Sequence, residues 1–185
     1  DWERAGSLEL LPTASEPGFQ ENAGVRIHGG AFRQMASTLK KSFRVVFRGK
    51  YGASQLVYPL FGPDAAGRFD TFVLRAGGND AWPNAEWRAL YLRDAFAMET
   101  ARAMGMVASH TRFVHLYVNG LYWGLYNPVE RPDEAFSAAY YGGDKNGWEA
   151  VNPGSLSEVG ADAWKRLLAE LNQDMGLTEA YQRVQ

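Results

Sequence analysis

Residues 112–127 read RFVHLYVNGLYWGLYN and decide the fold class of the chain. Aromatic and β-branched residues alternate on both sides of Asn119–Gly120, and Asn-Gly is the strongest two-residue signal for a tight hairpin turn. The stretch therefore predicts two antiparallel strands joined by a two-residue turn.

Short strand patterns bounded by Gly and Pro precede the hairpin. In the clearest of them, residues 42–48, the apolar residues Phe43, Val45 and Phe47 share one face, as the period of two in a strand requires. The predicted strands are residues 7–11, 25–28, 42–48, 55–58 and 72–75.

Three helices are predicted around the hairpin. The first covers residues 83–105 with an apolar stripe for the core, the second covers residues 132–141, and the third is the amphipathic segment around Leu168 and Leu171. The stripe of the first helix consists of Ala89, Leu92, Phe96, Thr100 and Ala103. Strands, a helix, a hairpin and further helices in this order predict an α+β fold with a largely antiparallel sheet.

Composition and motifs exclude several classes of protein. The chain has 185 residues, a globular composition and no cysteine, so disulfide scaffolds, Cys-ligated zinc and thiol nucleophiles are excluded. No apolar run reaches the ~20 residues of a membrane-spanning helix. The net charge of −2 argues against nucleic-acid binding. The sequence contains no P-loop, HExxH or GxSxG pattern.

The charge of the chain is unevenly distributed. Residues 22–63 contain seven Lys and Arg residues and no Asp or Glu, which predicts a local positive field that would attract an anion. A solvated basic strand face with acidic partners elsewhere in the fold is the alternative interpretation.

Five segments in order and at the right spacing resemble the CotH-type proteins, an atypical kinase family named for spore coat protein H. They are VRIHGGAFRQ (25–34), KKSFRVVFRGKYG (40–52), FVLRAGGNDAWP (72–83), WRALYLRDAFAMETARAMGM (87–106) and FVHLYVNGLYWGLYNPVERPDEAF (113–136). The start of the chain, DWERAGSLELL, resembles the first strand of secreted, multidomain members. The resemblance implies that residues 1–154 are the N-terminal portion of a CotH-like kinase domain, and that residues 155–185 are a linker and helix opening its second lobe.

The resemblance implies a protein-kinase-like N-terminal lobe that binds ATP and Mg²⁺ and transfers the γ-phosphoryl group to Ser or Thr of a protein partner. It also implies an extracellular or cell-envelope location. The catalytic Asp segments are expected beyond Gln185, so we expect this fragment to be inactive alone. An uncovered apolar face around Leu168 and Leu171 would allow a dimer.

The same resemblance suggests which basic residues would meet the nucleotide. Lys41 is the first candidate for the phosphate cation because it shares the apolar strand face, and Lys40 remains a candidate because a one-residue shift exchanges the two faces. Either could instead be a surface lysine. Arg26, Gly29 and Gly30 would form the loop over the phosphates, or an ordinary tight turn.

Four further residues are candidates by the same comparison. Glu99 would be the helix carboxylate that pairs with the cation, or would pair locally with Arg102. Arg93, with the aspartate after it, matches the helix motif of the family. Asp80 matches a family position, although a loop and helix entry would also require it. Glu130 lies where a kinase has its interlobe hinge, or is a helix-start carboxylate.

A second class of function competes with the kinase. Twenty-five aromatic residues could supply stacking surfaces for a non-catalytic extracellular module that binds a protein or glycan, or that acts as a scaffold. A glycan-binding module predicts exposed, coplanar rings such as Tyr122 and Trp123, whereas sheet packing also explains an aromatic hairpin. Nucleotide affinity would separate the kinase from this class.

Overall fold

A computed structural model of the chain describes residues 2–82, 86–151, 161–173, 176 and 178–184. The strands are β1 (Arg4–Leu10), β2 (Phe19–His28), β3 (Ser42–Val46), β4 (Leu56–Val57), β5 (Arg68–Phe69), β6 (Thr71–Arg75), β7 (Val114–Val118) and β8 (Leu121–Glu130). The α-helices are α1 (Arg93–Ala103), α2 (Glu134–Tyr141), α3 (Ala161–Leu171) and α4 (Thr178–Val184).

The main sheet has six strands in the order β1-β2-β3-β6-β8-β7, and every neighbouring pair is antiparallel. Strands β4 and β5 form a separate two-stranded ribbon. The predicted α+β class with an antiparallel sheet is therefore confirmed.

The hairpin predicted from residues 112–127 is β7 and β8. Val118 pairs with Leu121, and the two central residues Asn119 and Gly120 have φ values of 51° and 79°. A two-residue turn with positive φ at both positions is the geometry that matches the twist of the strands, and Asn-Gly adopts it at low cost. The local sequence thus determines this part of the fold.

The main sheet has one apolar and one polar face. Phe43, Val45 and Phe47 of the β3 segment lie on the apolar face, where they pack with Phe72 and Tyr126. Full burial of one such side chain contributes about 2 kcal/mol to the free energy of unfolding.

The alternate residues of β2, β3 and β6 form the polar face, which carries Arg26, Arg44 and Arg75. Glu130 of β8 pairs directly with Phe72 and therefore lies on the apolar side of the sheet.

Helix α1 begins later than predicted. It starts at Arg93 rather than near residue 83, because residues 86–88 form a 3₁₀ turn and Tyr91 has a φ of 58°, which interrupts any helix. Residues 83–85 lie outside the described residues. The predicted core stripe is wrong: α1 is described throughout and none of its side chains is buried, with Phe96 73% exposed.

The other two predicted helices form where expected. The Asp133 carboxylate accepts hydrogen bonds from the backbone N–H groups of Ala135 and Phe136, so it caps α2, which ends before Gly142 at a φ of 84°. In α3, Leu168 and Leu171 are exposed, as the uncovered apolar face predicts. No helix among the described residues is long and apolar enough to cross a membrane.

Candidate functional site

A cleft of about 790 Å³ opens on the polar face of the sheet. Val73 of β6 and Val129 of β8 form its floor, the loop after β2 forms one rim, and Met98 of α1 lies on another side. The polar and glycine residues that line it are His28, Gly29, Gly30, Lys40, Ser42, Arg75, Gly77, Gly78, Asn79, Ser109, Glu130 and Arg131.

Gly29 and Gly30 form the rim where β2 ends. Gly29 has a φ of 115°, a conformation that other residues rarely adopt. A Cβ atom on either glycine would meet no described atom within 4 Å, so there is open space above the backbone. The backbone conformation, rather than contact with the rest of the protein, is therefore what requires glycine at position 29.

Lys41 is buried, and its ammonium group lies in a cage of carbonyl groups. Nζ donates to the carbonyl oxygens of Phe32 at 3.2 Å and Gln34 at 2.7 Å, and also to that of Thr38. These three bonds use all three hydrogens of the ammonium group. In this structure Lys41 therefore fixes the loop between β2 and β3, and it is not among the described residues that line the cleft.

Lys40 lines the cleft and bridges it to β8. Its Nζ donates to the Leu125 carbonyl oxygen at 2.5 Å and lies 5.0 Å and 4.7 Å from the ring centroids of Tyr91 and Tyr126. Partial burial lowers the pKa of Lys40 from its usual value. The ammonium group still has donor capacity for a ligand, because one of its three hydrogens is used by the carbonyl group.

Arg75, at the end of β6, forms an ion pair with Asp94 in the first turn of α1. Both side chains are partly exposed, and Arg75 lines the cleft. The pair connects the central strand of the polar face to the helix beside the cleft. Sequence reasoning did not select Arg75 as a site residue, although it ends a predicted strand.

Asp80 and Arg93 hold the start of α1. The Asp80 carboxylate is buried, accepts hydrogen bonds from the backbone N–H groups of Leu90 at 3.1 Å and Arg93 at 3.2 Å, and pairs with the Arg93 side chain. The side chain of Glu99 is 72% exposed and forms an ion pair with Arg102 on the same helix, which is the alternative to pairing with the phosphate cation. None of Asp80, Arg93 and Glu99 is among the described residues lining the cleft.

Glu130 ends β8 and lies in a buried polar network with His110 and Tyr140. One carboxylate oxygen accepts from the His110 backbone N–H at 2.7 Å and lies 2.9 Å from His110 Nδ1, and the other accepts from the Tyr140 hydroxyl at 2.7 Å. Burial and this carboxylate raise the pKa of Tyr140, so the phenol remains a donor. The network joins the end of the sheet to α2.

Positive charge is concentrated on the polar face beside the cleft. Arg26 and Arg44 are direct partners across β2 and β3, and Arg131 is close enough to act on Arg44. Burial, followed by the fields of Arg131 and Arg26, lowers the pKa of Arg44 to about 10. Burial and the same three arginines, with Arg75, lower the pKa of His28 to about 4. This face therefore favours an anionic ligand.

A family model for the CotH kinase protein matches residues 25–181, which is most of the chain. The chain belongs to the CotH kinase family. No curated protein matches it significantly. The match includes every strand from the end of β2 to β8, and therefore all the described residues that line the cleft.

This CotH-family chain brings together part of the predicted site. Gly29, Gly30, Lys40 and Glu130 line one cleft, and Arg26 lies on the same sheet face. The residues that sequence reasoning did not select are His28, Ser42, Arg44, Arg75 and Arg131. Alternation in residues 42–48 was a usable signal for Arg44, because it places Arg44 opposite the core face.

The described residues of the CotH-family domain contain no group of three His, Asp or Glu side chains that could hold a metal ion. Mg²⁺ in phosphoryl-transfer sites is often held by one or two carboxylates together with substrate phosphates and water. The cations on the polar face fit the phosphates of a nucleotide, whereas a protein cage for the metal is not among the described residues.

The low pKa of His28 predicts an acid-labile fold. Above its unfolded value of 6.5 the imidazole is neutral in both states, and as the pH falls towards 4 the unfolded chain takes up the proton first. We expect the wild type to lose about 2 kcal/mol more unfolding free energy between pH 7 and pH 4 than His28→Gln. Urea denaturation at several pH values measures this difference, and parallel curves would contradict it.

Proposed function

We propose that the cleft binds the ATP of an atypical protein kinase of the CotH family, which transfers the γ-phosphoryl group to Ser or Thr of a protein partner. The single observation that carries the proposal is the Arg75–Asp94 ion pair beside the cleft. Protein kinases hold the nucleotide phosphates with a strand cation that pairs with a carboxylate on the next helix. In this chain the cation is Arg75 on strand β6, and the carboxylate is Asp94 on α1, the α-helix that follows.

The order of the elements supports the same function. Strands β2, β3, β6, β8 and β7 are neighbours in the sheet, and α1 lies in the chain between β6 and β7. A turn that contains Gly29 follows β2 on the way to β3. Strand β6, which carries Arg75, precedes helix α1, which carries Asp94. Kinases have a glycine loop, a strand cation and a helix carboxylate in this order.

The cleft residues would bind and orient the nucleotide. Arg75 and Lys40 would neutralise phosphate charge, and the open backbone at Gly29 and Gly30 would cover the phosphates. Mg²⁺, when bound, supplies further neutralisation of the phosphates. Arg26 and the backbone near Glu130 remain predicted contacts, and Lys41 would reach the phosphates only by leaving its carbonyl cage.

The backbone near the end of β8 limits how an adenine ring would be recognised. The Glu130 N–H donates to the His110 carbonyl oxygen at 3.1 Å, and the Pro128 carbonyl oxygen accepts from Arg112 N at 3.1 Å and Thr111 Oγ1 at 3.0 Å. These groups are already engaged within the protein. An adenine edge would therefore meet the backbone at Arg131, the next residue along the chain.

The rest of the functional assignment follows from the family resemblance and is part of the proposal. It comprises a protein substrate, an extracellular or cell-envelope location, and a dimer through the exposed face around Leu168 and Leu171. The exposed rings of Tyr117 and Tyr122 are not the coplanar pair that a glycan-binding module predicts. The rings of Tyr117 and Tyr122 are tilted by 50° with centroids 5.2 Å apart.

Calorimetric titration of the chain with Mg²⁺-ATP tests the proposal. We expect saturable binding that Arg75→Met weakens by about tenfold or more, because it loses a charge-assisted contact to phosphate. Arg68→Gln is the matched control, since it removes the same charge from an exposed position on the β4–β5 ribbon. The heat of binding and the far-UV spectrum are compared for each variant.

A charge swap separates binding from folding. Arg75→Asp with Asp94→Arg can restore the ion pair and the stability, but it puts a carboxylate at the end of β6. We expect the doubly substituted protein to fold but not to bind ATP. If the folded wild-type chain bound no ATP at millimolar concentration, the non-catalytic binding or scaffolding module would replace the kinase as the proposed function.

A further inference from the structure

The far end of the β7–β8 hairpin projects beyond the rest of the main sheet. Strand β6 pairs with residues 127–130 of β8, whereas residues 121–126 pair with β7 alone among the described strands. We call residues 117–123, which include the turn at Asn119–Gly120, the hairpin tip. A two-stranded ribbon has no core of its own, so its apolar side chains stay in contact with water unless another surface covers them.

Both faces of the hairpin tip are apolar. Tyr117 and Tyr122 are direct partners on one face, and each is more than half exposed. Val118 and Leu121 are direct partners on the other face, where the alternation of β8 also places Trp123. All three are exposed, with Leu121 at 66%. Packing on the core of a sheet requires apolar residues on one face only, so packing does not account for this tip.

The hairpin tip also lacks charge. Edge strands that face water are normally protected by charged residues, often Lys. Residues 113–129, however, contain no Asp, Glu, Lys or Arg. The strand at the opposite edge of the sheet, β1, carries Arg4 and Glu9. The tip therefore presents a neutral surface, which suits a partner that is itself neutral.

The size and shape of the tip favour a lipid surface over a protein. A fully covered aromatic side chain buries about 150–250 Å², so three half-exposed rings and Leu121 offer roughly 400 Å² of surface. A standard protein interface needs about 800 Å² on each partner. A bilayer interface sets no such minimum, because its fluid headgroup layer adapts to a convex tip and its binding strength scales with the apolar area buried.

The residue types of the tip match the layer where a membrane meets water. Tyr and Trp are enriched there because each has an apolar ring and a polar group. The Asn119 amide and the backbone of the turn need hydrogen bonds, so insertion would end within the hydrated headgroup layer. Attraction to anionic lipids requires Lys or Arg, which residues 113–129 lack, so zwitterionic lipids are sufficient.

We propose that the hairpin tip inserts into the interface of a phospholipid bilayer and holds the protein at a membrane surface. The contact is peripheral and is made with zwitterionic lipids. It goes beyond the proposed function, because none of residues 117–123 is among the described residues that line the cleft. Lipid binding and ATP binding can therefore be measured, and can fail, separately.

Sedimentation of the chain with phosphatidylcholine vesicles tests the proposal. Leu121→Asp places a charge at the tip, and Val57→Asp is the matched control, because Val57 is also 66% exposed and lies on the β4–β5 ribbon. We expect the wild type and Val57→Asp to bind equally and Leu121→Asp to bind about tenfold more weakly or less. Binding should be the same at low and high salt. Far-UV spectra check that both variants fold.

A fluorescent label provides a second readout, because the chain contains no cysteine. A polarity-sensitive dye attached to Leu121→Cys should shift its emission to the blue when vesicles are added, and the same dye on Val57→Cys should not. Equal losses in the two Asp variants, binding that requires anionic lipid and disappears in salt, or no binding at all would overturn the proposal. A dimer that Leu121→Asp dissociates, without vesicle binding, would overturn it in favour of a second copy of the chain.

Discussion

Lys41→Met is expected to lower the free energy of unfolding by about 3 kcal/mol, because it removes three charge-assisted hydrogen bonds from a buried position. The methionine keeps most of the apolar stem, so the change reports mainly on the ammonium group. The carbonyl groups of Phe32, Gln34 and Thr38 would lose their donor. Chemical denaturation followed by tryptophan fluorescence measures the difference.

The adjacent lysine is a matched control for this prediction. Lys40→Met removes the same charge one residue earlier, but it breaks one hydrogen bond, to the Leu125 carbonyl, and two contacts with aromatic rings. We expect a loss of about 1 kcal/mol and a larger effect on ATP binding. Unchanged stability of Lys41→Met together with lost ATP binding would contradict the carbonyl cage and place Lys41 on the phosphates.

The two lysines show why the sequence determines part of the site and not the rest. The period of two in residues 42–48 correctly separates the faces of β3, because that pattern is local. The partners of Lys41 are carbonyl groups in the preceding loop, which every residue possesses, so no residue type marks the cage in the sequence. Its environment could not be predicted from the sequence alone.

The start of α1 shows the same limit. The turn at Asn119–Gly120 was predictable because two adjacent residues determine it. Helix α1, in contrast, begins where the Asp80 carboxylate binds the Arg93 backbone N–H, a contact across 13 residues of irregular chain rather than between neighbours on one helix face. Helical spacing across residues 83–105 could not reveal this contact, so the predicted helix was too long and its apolar stripe was assigned to the core.

Glu130→Ala is expected to lower the free energy of unfolding by about 4 kcal/mol. The substitution leaves two partly buried donors, the His110 backbone N–H and the Tyr140 hydroxyl, without their shared acceptor, and it also opens a cavity at the buried Glu130 position. His110 Nδ1 lies 2.9 Å from the same Glu130 oxygen, so the substitution removes this contact as well. Urea denaturation gives the free energy directly.

Two further variants separate the hydrogen bonds of Glu130 from its volume. Glu130→Gln keeps the shape and an oxygen acceptor, so it should cost about 1 kcal/mol. Tyr140→Phe removes the phenol oxygen that contacts Glu130 and accepts from the Ala66 backbone N–H at 3.1 Å, so it should cost about 2 kcal/mol. Because Glu130 and Tyr140 share one hydrogen bond, the Glu130→Ala, Tyr140→Phe double variant should lose less than the sum of the two single losses. Strict additivity, or a loss below 1 kcal/mol for Glu130→Ala, would show that the network does not hold the end of β8 against α2.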